Sequence, residues 1–264
     1  MTINFHQIKK FINHYFTAKR NGHGVHSPLA YQLCEEVFYN KNHFYDFDEL
    51  KKIRNELLNN QNEITIQDFG AGSKTFTSNQ RKINILAKKG ISSSKQSETL
   101  YKLINFLNSK TLIELGTSLG LNSLYLAKAN KIGLLITVEG SENLKEFACN
   151  LATKNNISNI EFIDSTFEKA LPIALSKVET LDFIYIDGNH RYETTMNYFI
   201  QALSKKNNNS VFVFDDIYWS EGMTKAWEEI KKHPSVTLSI DAFYFGMVMF
   251  REEIKEKVDL KFYL

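Results

Sequence analysis

The sequence has few cysteines and no long apolar run. Its 264 residues include only Cys34 and Cys149, which stand far apart and form no C-x-x-C pair. This usage indicates a reducing compartment and argues against a disulfide framework or a zinc site. No apolar run approaches the ~20 residues that span a bilayer, and Lys9 and Lys10 interrupt any signal-peptide core near the start. We therefore expect a cytoplasmic protein with no membrane partner.

The chain also lacks a strong excess of charge of either sign. Its net charge is +2, with 43% hydrophobic and 23% charged residues. These values are typical of a folded globular protein and predict no particular partner. The length allows one large domain, or one domain with an appendage.

The glycine pattern lacks one residue that dinucleotide sites require. Leu112-Ile113-Glu114-Leu115 is an apolar run ending near an acid, Gly116 and Gly120 follow, and a helical pattern begins at Leu121. This is typical of a buried strand that turns into a helix, where glycine lets a ligand approach the backbone. The spacing is not G-x-G-x-x-G, which admits a pyrophosphate. A nucleoside ligand without phosphates, such as S-adenosylmethionine, fits the turn better.

Regular alternation of strands and helices begins at Ser93. The pattern predicts strands over 111–115, 133–138, 160–163, 181–186 and 210–214, each followed by a helix, and two further strands near the end that pair as a hairpin. We therefore predict an α/β, Rossmann-like doubly wound sheet of seven strands with a C-terminal antiparallel hairpin. This domain would cover residues 93–264.

Residues 1–92 predict a mainly helical N-terminal extension. Apolar residues from Phe5 to Phe16 recur at helical spacing, Ser27 and Pro28 are suited to begin a second helix, and Asp46 with Glu49 resembles a capping box. Gly70-Ala71-Gly72-Ser73 is a second candidate for the ligand turn, but no good helix follows it. We interpret it as a turn within the extension, and expect the extension to cover the acceptor pocket.

Acidic or polar residues stand at the ends of five successive predicted strands. They are Glu114, Glu139, Asp164 with Ser165, Asp187, and Asp215 with Asp216. Ligands of doubly wound sheets bind at these carboxyl ends, and an acid about 20–25 residues beyond the glycine turn suits ribose hydroxyls. Charged residues also occur wherever strands reach water, which would explain any one of them alone. Five in order favour a nucleoside site.

These residues resemble class I S-adenosylmethionine-dependent methyltransferases. The resemblance rests on Glu-Leu-Gly-x-x-x-Gly, on Glu139 and Asp187, and on the Asp-Asp-x-x-Trp run at 215–219, and it covers about residues 93–251. It is closest to the catechol and caffeoyl-CoA O-methyltransferase type and to uncharacterised bacterial members of the superfamily. It implies methyl transfer, with O-methylation of a small molecule as the expected reaction.

The resemblance implies a role for each site residue. The glycine turn would hold the methionine portion of the donor, Glu139 the ribose, and residues 164–166 the adenine. The full set expected to bind the donor is Glu114, Gly116, Thr117, Ser118, Gly120, Ser123, Glu139, Gly140, Asp164, Ser165, Thr166 and Asp187.

The same resemblance implies a metal and a base. Asp187, Asp215 and Asp216 match the positions that hold Mg²⁺ in the O-methyltransferase type, with Asp216 replacing an asparagine. His190 matches the general base, so Asp187 and His190 are the expected catalytic residues. The alternatives are a hydrogen-bonded His190 without a catalytic role, and aspartates that hold no metal, one of them paired with Arg191 or Arg251. Trp219 is expected to pack or to form a pocket wall.

Other functions remain open on sequence alone. Residues 70–110 carry eight Lys or Arg against Glu98, which suits a solvated face, an anionic acceptor or RNA. No RNA-binding motif accompanies them, so nucleic acid is the weaker interpretation. The alternatives are RNA or protein methylation, a non-catalytic S-adenosylmethionine-binding module, and, least favoured, a nicotinamide dehydrogenase. The oligomeric state is open, with a homodimer among the options.

Overall fold

The computed structural model describes residues 4–66 and 79–264. Its helices alternate with strands over most of this length. The α-helices are α1 Phe5–Thr17, α2 Pro28–Leu33, α3 Asp46–Asn59, α4 Ile83–Lys89, α5 Ser94–Leu107, α6 Leu121–Ala129, α7 Glu142–Lys154, α8 Phe167–Ser176, α9 Tyr192–Leu203 and α10 Glu221–Lys232. One π-helical segment, Cys34–Phe38, follows α2.

The described residues form ten β-strands, of which β1 and β2 pair only with each other. They are β1 Glu63–Thr65, β2 Gln80–Lys82, β3 Thr111–Leu115, β4 Leu134–Glu139, β5 Ile160–Asp164, β6 Leu181–Ile186, β7 Lys206–Asp215, β8 Leu238–Asp241, β9 Phe245–Met249 and β10 Val258–Lys261. The bounds of β3 and β6 agree with the sequence predictions.

The chain divides into two compact units. We call residues 41–178 the central unit and residues 1–40 with 179–264 the terminal unit. In the central unit, β3, β4 and β5 are neighbours in that order and run parallel, while β1 pairs antiparallel with β2. Residue Glu139 at the end of β4 is the register partner of Asp164 at the end of β5.

The terminal unit holds five strands in the order β10-β8-β9-β7-β6. β6 and β7 are parallel, and β9 is antiparallel to both β7 and β8. Because Ile186 pairs with Phe214, the next residue of each chain segment, Asp187 just after β6 and Asp215 at the end of β7, lies at the same edge. The predicted α/β, Rossmann-like fold, its antiparallel C-terminal strands and the helical N-terminal part are confirmed.

Two details of the prediction were wrong. β10 is an eighth strand of the Rossmann-like part, parallel to β8, and its mixed exposure pattern gives no clear period. Asp46 does not cap α3, because Tyr45 is the N-cap residue and Asp46 already lies in the helix. The Asp46 carboxylate instead accepts hydrogen bonds from the Tyr101 hydroxyl (2.8 Å) and the Lys128 ammonium (3.3 Å). Ser27 does cap α2, and Pro28 is its first residue.

Candidate functional site

The predicted glycine turn links β3 to α6 through left-handed backbone conformations. The φ angles of Gly116, Ser118 and Gly120 are 110°, 50° and 82°, and Gly120 is the N-cap residue of α6. A Cβ atom at Gly120 would stand 2.7 Å from the Ala148 Cβ atom on α7, so any side chain there would collide. Both the conformation and the close packing therefore require glycine at position 120.

The backbone of this turn is held by hydrogen bonds within the central unit. The N–H groups of Gly116 and Thr117 donate to the Val138 carbonyl oxygen at 3.0 and 3.2 Å, and Gly120 N–H donates to the Thr117 carbonyl at 2.9 Å. Ser118 N–H donates to the Glu139 carboxylate at 2.9 Å. These bonds give the turn a fixed shape and join it directly to the end of β4.

Glu139 combines that contact with a second one from the following loop. Its other carboxylate oxygen accepts from Ser141 N–H at 3.0 Å. Burial raises the pKa of Glu139, and hydrogen bonds from the backbone of Ser141, Ser118 and Gly140 oppose that rise. Each carboxylate oxygen accepts two hydrogen bonds, so Glu139 can receive hydroxyl donors while it holds the turn.

Glu114 and Ser123 lie beneath the turn rather than at its surface. Both are fully buried. The Glu114 carboxylate accepts hydrogen bonds from Asn122 (2.9 Å), from Thr137 (2.7 Å) and from the Ser123 hydroxyl. Burial raises its pKa to about 7, and these hydrogen bonds oppose the rise. The structure therefore places both side chains in a buried network that connects β3, β4 and α6.

The remaining predicted donor residues of the central unit follow β4 and β5. Asp164 is partly exposed and pairs with Lys145 at 3.3 Å. Ser165 N–H donates to the Glu139 carbonyl at 3.2 Å, and Thr166 is the N-cap residue of α8. Gly140 stands between Glu139 and Ser141 in the loop that leads to α7. Glu139, Ser118 and Ser165 are thus brought together, with Asp164 as the register partner of Glu139.

The predicted catalytic residues gather in the terminal unit. The Nε2 atom of His190 lies 3.8 Å from Asp187 Oδ1 and 3.9 Å from Asp216 Oδ2. Asn189, His190 and Asp216 adopt positive φ angles of 65°, 30° and 51°. Such conformations strain residues other than glycine, and they occur preferentially at functional sites.

Burial is the main influence on the pKa values of His190 and Asp216. It lowers the pKa of His190, and the charge of Asp216 opposes that shift. Burial likewise raises the pKa of Asp216, opposed by His190. His190 is therefore predominantly neutral near pH 7, which is the form that accepts a proton.

The three predicted metal ligands do not form a ready metal site. In the part of the chain that the structure describes, no three His, Cys, Asp or Glu side chains are arranged to hold a metal ion. The imidazole of His190 approaches Asp187 and Asp216 instead. Arg251, considered as a partner for an aspartate, lies 3.8 Å from Glu253.

A cavity of about 390 Å³ opens beside Asp216 and Trp219. Helix α1 and the segment between β8 and β9 complete its walls. Its lining residues are Gln7, Ile8, Phe11, Asp216, Tyr218, Trp219, Phe243 and Tyr244. The ring of Trp219 lies 6.1 Å from that of His190, so the expected role of Trp219 as a pocket wall agrees with its position.

Sequence reasoning missed most of this cavity. Gln7, Ile8 and Phe11 are more than 200 residues distant from Trp219 along the chain, and only the helical period of α1 could have suggested an apolar face. A buried network fixes α1 in place. His14 Nδ1 lies 3.3 Å from the Asp241 carboxylate, His14 Nε2 is 3.0 Å from the Phe262 carbonyl, and the Tyr218 hydroxyl donates to Asp241.

Two further sequence predictions concern residues 70–110. The turn at 70–73 lies outside the described residues, as does Lys74. Of the other basic residues in that stretch, Lys88 and Lys89 stand at the end of α4, and burial lowers the pKa of Lys102. No helix in the described ranges is long and apolar enough to cross a membrane.

Comparison with known proteins finds a match in the middle of the chain. Residues 113–217 match the family model described as a methyltransferase domain. No curated protein sequence matches the chain. The match agrees with the predicted enzyme class, and the matched range contains both the glycine turn and the residues around His190.

Solved structures share the fold at low sequence identity. The O-methyltransferase TomG from Streptomyces achromogenes, solved with S-adenosylmethionine, is 21% identical with a TM-score of 0.54, over 61% of this chain and 82% of TomG. An O-methyltransferase from Bacillus cereus, solved with S-adenosylhomocysteine, is 18% identical with a TM-score of 0.53, over 80% and 93%. The methyltransferase PaMTH1 from Podospora anserina is 12% identical with a TM-score of 0.55, over 81% and 100%.

Proposed function

Since this chain carries a methyltransferase domain, we propose that it transfers the methyl group of S-adenosylmethionine to a hydroxyl oxygen of a small acceptor. The observation that carries this function is the position of His190, near two carboxylates and beside an aromatic-lined cavity. Structural neighbours described as O-methyltransferases, with the methyl donor or its product bound, support the choice of donor and reaction.

The donor would be held by the central unit. Glu139 offers carboxylate oxygens to the ribose hydroxyls, and Asp164, Ser165 and Thr166 offer polar groups to the adenine. The turn from Gly116 to Gly120 supplies a rigid surface for the methionine portion. Glu114 and Ser123 would act as positioning residues, because they are buried beneath the turn and bonded to each other. We retain Gly140 and Asp187 as predicted donor-binding residues.

The acceptor would occupy the cavity beside Trp219. Its walls are mainly aromatic and aliphatic, which suits a planar, apolar molecule such as a phenol. Asp216 is the charged side chain among the lining residues, and a carboxylate there disfavours an anionic molecule. We therefore favour an uncharged acceptor over the anionic one that the basic stretch suggested.

His190 would remove the proton that the reaction releases. Its neutral imidazole accepts the hydroxyl proton of the acceptor while the oxygen forms a bond to the methyl carbon. The carbon–sulfur bond breaks, its electron pair goes to sulfur, and neutral S-adenosylhomocysteine leaves. Asp187 and Asp216 lie near enough to stabilise the imidazolium that forms. In-line alignment of oxygen, carbon and sulfur supplies much of the remaining rate.

The proposed reaction includes no step that uses Mg²⁺. Asp187, Asp215 and Asp216 supply the oxygen ligands that Mg²⁺ prefers, but their present arrangement, with His190 approaching two of them, does not fit a three-ligand site. The proton transfer derived above requires only the side chains of the chain. The assay described below therefore includes a chelator.

We retain the predicted division of the chain, with residues 93–264 as the methyltransferase domain and residues 1–92 as an extension. Helix α1 supplies Gln7, Ile8 and Phe11 to the cavity wall, which supports a role of the extension in acceptor binding. The cysteine usage supports a cytoplasmic location.

A transfer assay tests this function. Purified protein is incubated with methyl-labelled S-adenosylmethionine and a set of small phenols, with and without EDTA, and label in the acceptor is measured. We expect transfer to at least one phenol, at equal rates with and without EDTA, and a rate lowered at least about 10²-fold by His190→Gln. Transfer that requires restored Mg²⁺ would overturn the metal-free proton transfer. Donor binding without transfer to any phenol, amine or RNA would support a non-catalytic binding module instead.

A further inference from the structure

Helix α1 presents an apolar face that the described residues leave uncovered. Phe5 and Phe16 are 79% and 80% exposed, and Ile12 between them is 53% exposed. Ile8 and Tyr15 on the same face are also exposed. These residues recur at spacings of three and four, so they form one stripe along the helix. Soluble proteins rarely leave so continuous an apolar surface in water, and such surfaces mark interaction sites.

The opposite side of α1 explains why this stripe faces outward. His14 is the buried residue of the helix, and it contacts Asp241 and the Phe262 carbonyl. His6 adds a hydrogen bond of 2.8 Å to the Thr224 hydroxyl. The helix is thus attached through its polar side, with Phe11 against Phe243 and Tyr15 against Tyr263 at the border of the stripe. Phe5, Ile12 and Phe16 remain exposed.

The charged side chains of α1 itself are positive, although Glu221 of α10 lines a cavity together with Phe5 and Lys9. The first acidic residue of the sequence is Glu35, whereas Lys9, Lys10, Lys19 and Arg20 precede it. Lys9 and Lys10 lie on α1 itself. A basic amphipathic helix with exposed phenylalanines is the type that binds in the plane of an anionic bilayer surface. In a symmetric pairing with a second copy, the same positive charges would face each other at short range and repel.

The stripe is continuous with the cavity. Ile8 belongs to the stripe and lines the cavity, and Phe11 is the next lining residue on α1. Trp219 and Tyr244, which line the cavity from the other side, are exposed. Tryptophan and tyrosine favour the level of the lipid headgroups. A molecule that leaves a bilayer beside α1 would therefore meet the cavity without crossing water.

We propose that α1 binds an anionic lipid surface, and that the methyl acceptor is an amphiphilic phenol with an apolar tail, drawn from that surface into the cavity. The second part rests on the function proposed above, and the first does not. The expectation of no membrane partner came from the lack of a spanning segment, whereas a helix of this kind lies on the bilayer without crossing it.

Vesicle binding tests the first part. The protein is sedimented with vesicles of phosphatidylglycerol and phosphatidylcholine, or of phosphatidylcholine alone. Ile12→Asn with Phe16→Asn interrupts the stripe at two of its five residues, and neither residue lines the cavity. Tyr45→Asn with Ile132→Asn is the matched control, since those residues are 91% and 81% exposed elsewhere. We expect binding to anionic vesicles that weakens with salt, falls roughly tenfold or more in the stripe variant, and persists in the control.

Two results would overturn the lipid surface. One is equal vesicle binding by the stripe variant and its control, or none by the native protein. The other is sedimentation equilibrium that detects a dimer of the native protein, abolished by the stripe variant, with no vesicle binding. The second result would identify the occupant of the stripe as another copy of the chain.

A comparison of acceptors tests the second part. One phenol is offered in water, and the same phenol with a long alkyl tail is offered in anionic vesicles. We expect the stripe variant to keep the native rate on the soluble phenol and to lose about tenfold on the tailed one. Equal rates of native and variant protein on the tailed phenol would overturn the substrate class. Failure of the native protein on both, with vesicle binding intact, would instead count against methyl transfer to a phenol.

Discussion

The Nε2 atom of His190 lies 3.9 Å from Oδ2 of Asp216, and both residues hold positive φ angles, of 30° and 51°. Neither residue is glycine, so each backbone is held in a conformation that costs of order 1–3 kcal/mol. The loops after β6 and β7 thus bring the His190 imidazole and the Asp216 carboxylate close together beside the cavity.

Replacing the base should affect turnover more than donor binding. His190→Gln keeps a polar side chain but cannot carry the transferred proton at neutral pH, so we expect kcat to fall about 10²–10⁴-fold. The dissociation constant for S-adenosylhomocysteine should change little. The control is His43→Gln, at an exposed position on the surface. Equal losses of kcat and donor affinity would contradict the assignment of His190 as the base.

The pH profile of the reaction should reflect the environment of His190. Burial lowers its pKa below the usual imidazole range near 6.5, so kcat should rise with pH and level off below that value. Asp216 favours the protonated ring. Asp216→Asn should therefore lower the pKa of His190 further and move the acidic limb of the profile to lower pH. A limb that moves to higher pH in this variant would exclude the proposed pairing.

Close packing at the glycine turn predicts that one added methyl group at position 120 lowers the stability of the protein. At Gly120→Ala the new Cβ atom would approach that of Ala148 to 2.7 Å at a φ of 82°, so we expect a loss of stability of about 1–3 kcal/mol. Gly222→Ala in α10 is the matched control, with its nearest neighbour at 3.7 Å, and should be neutral or stabilising by about 0.5–1 kcal/mol.

Chemical denaturation of both variants measures these changes. Adding Ala148→Gly to Gly120→Ala should restore part of the loss, because it removes the atom that the new methyl group meets. Equal stabilities of the Gly120 and Gly222 variants would mean that the turn and α7 do not pack as the structure has them.

The buried Glu114 should make stability depend on pH. Its folded pKa of about 7 exceeds its ordinary value of 4.5, so the folded state retains a proton that the unfolded state releases. The stability of the native protein relative to Glu114→Gln should therefore be greatest below about pH 4.5, and should decline by roughly 3 kcal/mol as pH rises to about 7. Denaturation of both proteins between pH 4.5 and 8.5 measures the difference. A constant difference would show that Glu114 has an ordinary pKa in the folded state.

The parts of the fold that the sequence predicted best are those with a strong period. β6 is almost wholly buried and α6 follows a glycine turn, so local residues determine their bounds. β7 extends further than predicted because it begins with the polar residues 206–209, where pairing with neighbours prevails over intrinsic preference. β10 is short and exposed at alternate positions, and only its pairing with β8 defines it.

The candidate site, like the fold, could be predicted from the sequence only in part. The acids at the strand ends could be predicted, because parallel strands bring their carboxyl ends to one edge. The roles of Phe11 and Tyr244 in the cavity could not, since they depend on how α1 attaches to distant strands. His14 and Asp241, which attach α1, are 227 positions apart in the sequence. No local sequence pattern predicts such a contact.

Calorimetric titration of S-adenosylhomocysteine tests the donor site most directly. The native protein should bind one equivalent, and Glu139→Ala should weaken binding at least about tenfold, because two hydroxyl partners and the bond to Ser118 are lost. Glu63→Ala, at an exposed residue of β1, should bind as the native protein does. Absence of any heat with the folded native protein would contradict the assignment of the turn at 116–120 and Glu139 as the site of the methyl donor.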